Sequence, residues 1–198
     1  MPITANPTVV GVPANYLVGV AQVYLAPFGT AGPALTVAYG GAWPAGWLAT
    51  GYTETGLTVN MNRKVNSLYV EELSEPIATV VDTNDPTLDV TFAEDTLQSM
   101  AWAYGGGTIT QTAAATPDPA YATLVLAENL EQLAMGFEGS APDGNFRRVI
   151  IPQVVSAGKA KTQYQRAKAG RMYPATFNSI GPLSNWIIQE IGSGVEAQ

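Results

Sequence analysis

Fourteen prolines and twenty glycines are spread along the 198 residues of this chain. That spacing excludes a fold built on long helices, because proline removes a backbone donor and both residues weaken a helix interior. Many short segments between such residues favour an all-β architecture. Alternation points the same way. Leu57, Val59 and Met61 alternate with Thr58, Asn60 and Asn62; Leu88, Val90 and Phe92 with Thr87, Asp89 and Thr91; Tyr173, Ala175 and Phe177 with Pro174, Thr176 and Asn178. A period of two puts one set on a core face and the other on solvent or a partner. Tyr16 to Leu25 is apolar on both faces, as in a strand covered on both sides. Further strands are expected near 66–72, 76–82, 122–127, 133–138, 146–155, 160–167 and 185–191. One domain, 1–198, suits this length. Residues 1–46 form an N-terminal arm plus first strand, and 181–198 a C-terminal strand and tail.

One helix is predicted, over about residues 94–104. Glu94 and Asp95 suit the positive end of a helix dipole, and Thr91 and Glu94 have capping-box spacing. Leu97, Met100, Ala101 and Tyr104 recur on one face, and Gly105–Gly107 stop the run. The fold class is therefore mainly β: a sandwich or barrel with one flanking helix and extended hairpins and arms.

Charge is scarce and segregated. Charged residues make up 13% of the chain, and the first of them is Glu54. At that frequency a neutral run of 53 has a chance below about one in a thousand. Residues 54–140 carry 13 acids and two bases, whereas 141–198 carry three acids and seven bases, within a net charge of −7. Either the N-terminal region is a greasy strand and the basic hairpin an accident, or these surfaces meet copies of the chain head to tail. Two hairpins carry the segregated charge. Strand 56–62 turns at Arg63-Lys64 and returns over 66–72 to Glu71, Glu72 and Glu75. Strand 160–167 turns at Ala169-Gly170. It carries Lys159, Lys161, Arg166, Lys168 and Arg171. Charges there discourage indiscriminate edge pairing or select an acidic neighbour.

Histidine and cysteine are both absent. This removes Ser–His–Asp and Cys–His catalysis, His-ligated zinc and disulfides. No cofactor is expected. Ser156-Ala157-Gly158-Lys159 has Ser-x-x-Lys spacing, but it lies among β-branched residues rather than opening a helix, and its companion motifs are missing. Asp82-Thr83-Asn84-Asp85-Pro86 resembles the start of a calcium loop, yet it lacks the glycine and distal glutamate. Turn chemistry explains it better. Glu71, Glu72 and Glu75 read as a solvated cluster rather than a glycosidase pair. Trp43 and Trp47 bracket a Pro-Ala-Gly loop, either contacting another protein or folding back on their own core. No basic leader and no membrane-spanning segment are expected.

Several segments, in order, then become informative together. They are Gly51-Tyr52-Thr53-Glu54-Thr55-Gly56-Leu57-Thr58, Glu75-Pro76, and Leu88-Asp89-Val90-Thr91-Phe92-Ala93-Glu94-Asp95-Thr96-Leu97. Ala103-Tyr104-Gly105-Gly106-Gly107, Phe137-Glu138-Gly139, Arg147-Arg148-Val149-Ile150-Ile151-Pro152 and Tyr173-Pro174-Ala175-Thr176-Phe177 follow. The series spans about residues 47–180. It resembles the major tail (tail tube) proteins of long-tailed bacteriophages, of the kind found in actinobacterial phages.

The resemblance implies a structural virion protein, not an enzyme. Its subunits form hexameric rings whose strands join around an inner wall, and the rings stack into a hollow tube that passes the genome. Its partners are itself and other tail proteins such as the tape measure, tail tip and tail terminator. DNA passes the lumen without specific binding, and no membrane is involved. The expected location is the virion tail, with assembly in the host cytoplasm. Some relatives add a C-terminal immunoglobulin-like domain, for which this chain has no residues. The alternative is a capsid-decorating or tail-completion β-domain of a virion. Placed in this frame, Arg63, Lys64, Glu71, Glu72, Glu75, Lys159, Lys161, Arg166, Lys168 and Arg171 are the expected assembly contacts. The hairpin from Asn60 to Glu75 reaches an adjacent ring, and the basic hairpin receives an acidic partner. Asp82, Asp85 and Asp89 are the expected lumen acids, since like charge keeps DNA from adhering.

Overall fold

A computed structural model describes residues 21–71, 75–116, 118–158, 160 and 172–192. Ten strands and one helix follow in order: β1 (Gln22–Pro27), β2 (Leu48–Ala49), β3 (Thr53–Leu68), β4 (Ala78–Phe92), α1 (Leu97–Ala103), β5 (Gly107–Thr112), β6 (Tyr121–Leu126), β7 (Gln132–Ser140), β8 (Phe146–Ser156), β9 (Tyr173–Ser179) and β10 (Ile187–Ile191). The main sheet runs β2-β1-β7-β8-β9-β4-β3, all antiparallel. β8 divides one of its edges. Its first half pairs with β10 through Ile150–Ile187, and its end pairs with β9 through Ser156–Phe177. The sheet thus forks and folds over itself without closing.

The alternating residues build the core between the two layers. Val23 and Leu25 of β1, Met135 of β7 and Ile151 of β8 meet Leu88, Val90 and Phe92 of β4 and Ala175 and Phe177 of β9. Burying each large side chain is worth about 1.5–3 kcal/mol. Trp102 of α1 packs against Phe92, with ring centroids 5.9 Å apart, so the helix covers this core from one side.

The opposite face of β1, β7 and β8 carries a second cluster. Tyr24, Ala26, Ala134 and Ile150 are covered there by Trp43 and Trp47 of the 28–47 segment. β1 is therefore buried on both faces, as its unbroken apolar run predicts. The two tryptophans fold back on their own chain. Trp43 stacks on Tyr24 at 4.2 Å and meets Trp47 edge-on at 4.8 Å. A β-carbon at residue 136 would fall 2.3 Å from the Trp43 ring, which explains Gly136. Burial, and next the charge of Glu138, raise the Tyr24 phenol above its ordinary value of 10.0.

Several expectations change. The helix spans 97–103 rather than 94–104, and its cap is Thr96, whose hydroxyl accepts the Ser99 amide at 3.0 Å. Thr91 is still in β4. Glu94 lies before the helix, accepting the Tyr52 amide at 3.1 Å. Its end is as predicted: Gly105 has φ +92° and the Gly106 amide returns to the Ala101 carbonyl at 2.8 Å. Arg63-Lys64 is not a turn, since β3 runs straight through it. Asp82–Pro86 is not a turn either, since β4 runs through it, and the separate strands expected at 56–62 and 66–72 are one. β5 is not among the expected strands; its first residue, Gly107, belongs to the expected helix stop. The expected strand 160–167, with its hairpin, lies outside the described residues.

Candidate assembly surfaces

Among the described residues the longest pairing joins β3 and β4 from Thr53–Phe92 to Leu68–Ala78. Its near part belongs to the sandwich, where Leu88, Val90 and Phe92 are buried. Past Pro86 the strands leave the body: every β4 residue from Ala78 to Asp85 is exposed. At about 3.4 Å per residue, those eight residues project roughly 27 Å. β9 stops covering β4 at Thr87–Asn178, so nothing in the described chain flanks the projecting part beyond its own partner strand.

Register sorts this hairpin into two faces, because opposed residues share a side. One face continues the core outward. Leu57–Val90 and Val59–Leu88 lead to Met61–Pro86, Arg63–Asn84 and Val65–Val81. Beyond the body this stripe is bare: Met61 is 47% exposed, Val65 50% and Val81 49%. The other face is polar as far as Lys64–Thr83 and turns apolar toward the tip, where Asn66–Val80 and Leu68–Ala78 lie. Thr58–Asp89, Asn60–Thr87 and Asn62–Asp85 share it, and Thr176 of β9 extends it beside Asp89.

The three expected lumen acids come together on that polar face through an irregularity. Simple alternation separates Asp82 from Asp85 and Asp89. Between Lys64–Thr83 and Val65–Val81, however, β4 contains one extra residue, which is Asp82. The bulge turns Asp82 to the side of Lys64, with which it forms an ion pair at 3.0 Å. The acids then differ in chemistry. Asp89 is stitched across three strands, accepting Asn60 Nδ2 at 2.8 Å and Thr176 Oγ1 at 2.5 Å. Asp82 is offset by Lys64. Asp85 is exposed and opposes neutral Asn62.

Among the expected assembly contacts, Arg63 and Lys64 sit on opposite faces of the projecting hairpin, and Glu71 and Glu75 are exposed near its tip. Glu72, Lys159, Lys161, Arg166, Lys168 and Arg171 lie outside the described residues. Ser156 ends a strand with its buried hydroxyl donated to the Ala103 carbonyl at 3.0 Å.

Sequence reasoning missed the most deeply buried charges. Glu138 and Arg148 face each other across β7 and β8, with both side chains fully buried. Arg148 Nε donates to Glu138 Oε1 at 2.7 Å, and its other nitrogens donate to the Ala34 and Val37 carbonyls at 3.1 and 2.9 Å. Glu138 also accepts the Gly40 amide at 3.0 Å and Trp43 Nε1 at 3.2 Å. The pair thereby fastens the uncharged 28–47 segment to the sheet. That segment and its surroundings still expose Phe28, Leu35, Tyr39 and Tyr52. A groove of about 790 Å³ beside β1 is lined by Gln22, Tyr24, Tyr39, Tyr52 and Glu94; its acid, Glu94, is engaged by backbone. Among the described residues no cluster of acids is placed to hold a metal, and no helix is long and apolar enough to cross a membrane.

An open antiparallel sandwich whose long hairpin leaves its own core with apolar side chains bare defines a structural module made to be completed by other chains. Comparison with known families agrees: the pattern of the family described as phage tail tube protein matches residues 11–178, and the chain belongs to that family. No curated protein matches it. It is a structural component of the bacteriophage tail, a family that assembles with itself and with other tail proteins.

Proposed function

We propose that the chain polymerises head to tail into stacked, six-membered rings enclosing the channel through which the genome passes. The observation that carries this reading is the β3–β4 hairpin. A monomer gains nothing from about 27 Å of projecting sheet with a bare apolar stripe, because exposed apolar surface of this kind is stabilised only by a partner. Among the described residues β3 is an edge strand, and its edge offers backbone groups to a neighbouring copy, which supports rings joined strand to strand.

In this arrangement the polar face of β9, β4 and β3 lines the channel. Its threonines and asparagines present no cation except Lys64, which Asp82 offsets. Phosphates therefore find no counter-charge to bind, and Asp85 supplies the uncompensated repulsion. The tape measure occupies the channel during assembly in the host cytoplasm, and the tip and terminator proteins bind the tube ends. The basic segment from Lys159 to Arg171 receives acidic residues of an adjacent copy.

Electron microscopy of the concentrated, purified protein tests the proposal. Hollow tubes or stacked rings are expected. Small closed oligomers that never stack contradict it and favour a capsid-decorating or tail-completion role.

A further inference from the structure

Resting on the head-to-tail reading above, we infer which two surfaces meet: the apolar face of the projecting β3–β4 hairpin seats on the β6–β7 corner of the next copy, with Arg63 of one copy paired to Glu128 of the other.

Three independent observations converge on this pairing. The first is position. β4 runs from the hairpin tip toward Phe92, β9 runs back, β8 forward and β7 back, each antiparallel to its neighbour. β7 begins at Gln132 opposite Val155, level with Thr87 through Asn178. The corner before Gln132 therefore lies at the end of the sandwich opposite to the hairpin's reach. A contact between opposite ends of identical subunits is heterologous and propagates, as a stack requires.

The second observation is surface chemistry. The corner exposes Val125 (63%), Leu126 (50%) and Leu130 (53%) within six residues. Its neighbouring hairpin, β5–β6, is a separate two-stranded sheet. A lone hairpin is marginal in water and gains from being covered. The bare stripe of Met61, Val65 and Val81 offers it an apolar cover.

The third observation is charge. Among the described residues Arg63 is the cation without an ion pair: Lys64, Arg147 and Arg148 each have one. Arg63 stands within the apolar stripe, between Met61 and Val65. Glu128 stands within the apolar corner, exposed and with no ion pair among the described residues. The hairpin stripe thus carries a cation and the corner carries acids: Glu128 among its apolar residues, and Glu131, which accepts the Gly107 amide, at its end. An ion pair shielded by apolar contacts fixes register, and like charges there oppose association strongly.

The absence of native cysteine provides a direct test. A chain carrying both Arg63→Cys and Glu128→Cys is assembled and then oxidised. The inference expects a ladder of disulfide-linked multimers, because each copy links forward and backward; each single-cysteine variant stops at dimers at most. Charge reversal gives the second readout. Arg63→Glu or Glu128→Arg alone is expected to raise the concentration needed for polymerisation at least about tenfold, and the double reversal to restore it. Unchanged thermal melts of the variant monomers establish that folding is intact. Wild-type tubes with no ladder and no rescue overturn this pairing and leave the tube reading standing. Rescue of Arg63→Glu by Glu54→Arg instead of Glu128→Arg overturns it in favour of the β3 start. Wild-type protein that stays monomeric at every concentration overturns the head-to-tail reading itself.

Discussion

The two halves of the β3–β4 hairpin obey one sequence rule and meet two fates. In the near half Leu88, Val90 and Phe92 are buried against β7, β8, β9 and α1. In the far half Val65 and Val81 occupy the same face and stand half in solvent. The two strands stay paired through both halves, with a bulge at Asp82 in the far one, so loss of pairing does not separate them. The difference is the second layer, which ends near Pro86. Alternation therefore encodes a face to be covered, and a second copy supplies the cover where the chain itself does not.

Variants break or sharpen that contrast. The largest loss of monomer stability is expected from Glu138→Ala in the body. Arg148 would remain buried and unpaired while the 28–47 segment loses its fastening, at a cost of about 3–5 kcal/mol. Chemical denaturation measures it. The direct comparison is Phe92→Ala against Val81→Ala. The first leaves a cavity in the core and should cost about 3–5 kcal/mol; the second should change the monomer by less than about 0.5 kcal/mol. Equal losses would show that the far half is buried in the monomer. Asp89→Ala frees Asn60 and Thr176 together at the junction of the halves. A midpoint shift equivalent to about 1–3 kcal/mol is expected there. Lys64→Ala is the smallest. Its pair with Asp82 is exposed, so the melt should move by less than about 0.5 kcal/mol.

Much of the body was legible because burial there follows local patterning. The alternations at Leu57–Met61, Leu88–Phe92 and Tyr173–Phe177 became β3, β4 and β9, and the double-sided run ending at Leu25 became β1. The far half was misread where local chemistry and pairing disagree. Asp82 to Pro86 has turn residues in the right order, yet Asn62–Asp85 and Met61–Pro86 pairing holds it extended. At Pro86 β4 has just left β9, so on that side a missing amide has no partner strand to lose, while β3 still pairs through Met61. The grouping of the three acids was chosen from composition, but their shared face depends on the bulge at Asp82, which no alternation announces. Glu138 and Arg148 escaped notice for a related reason. Ten residues apart, they look like ordinary surface charges until β7–β8 register opposes them beneath the 28–47 segment.

The central claim is that the projecting hairpin is completed only by another copy. Amide hydrogen exchange, compared between monomer and assembled protein, tests it most directly. The account predicts that residues 61–68 and 78–85 exchange readily in the monomer and become protected on assembly, while Leu88 to Phe92 is slow in both. Equal exchange of the projecting strands in the two states would contradict it.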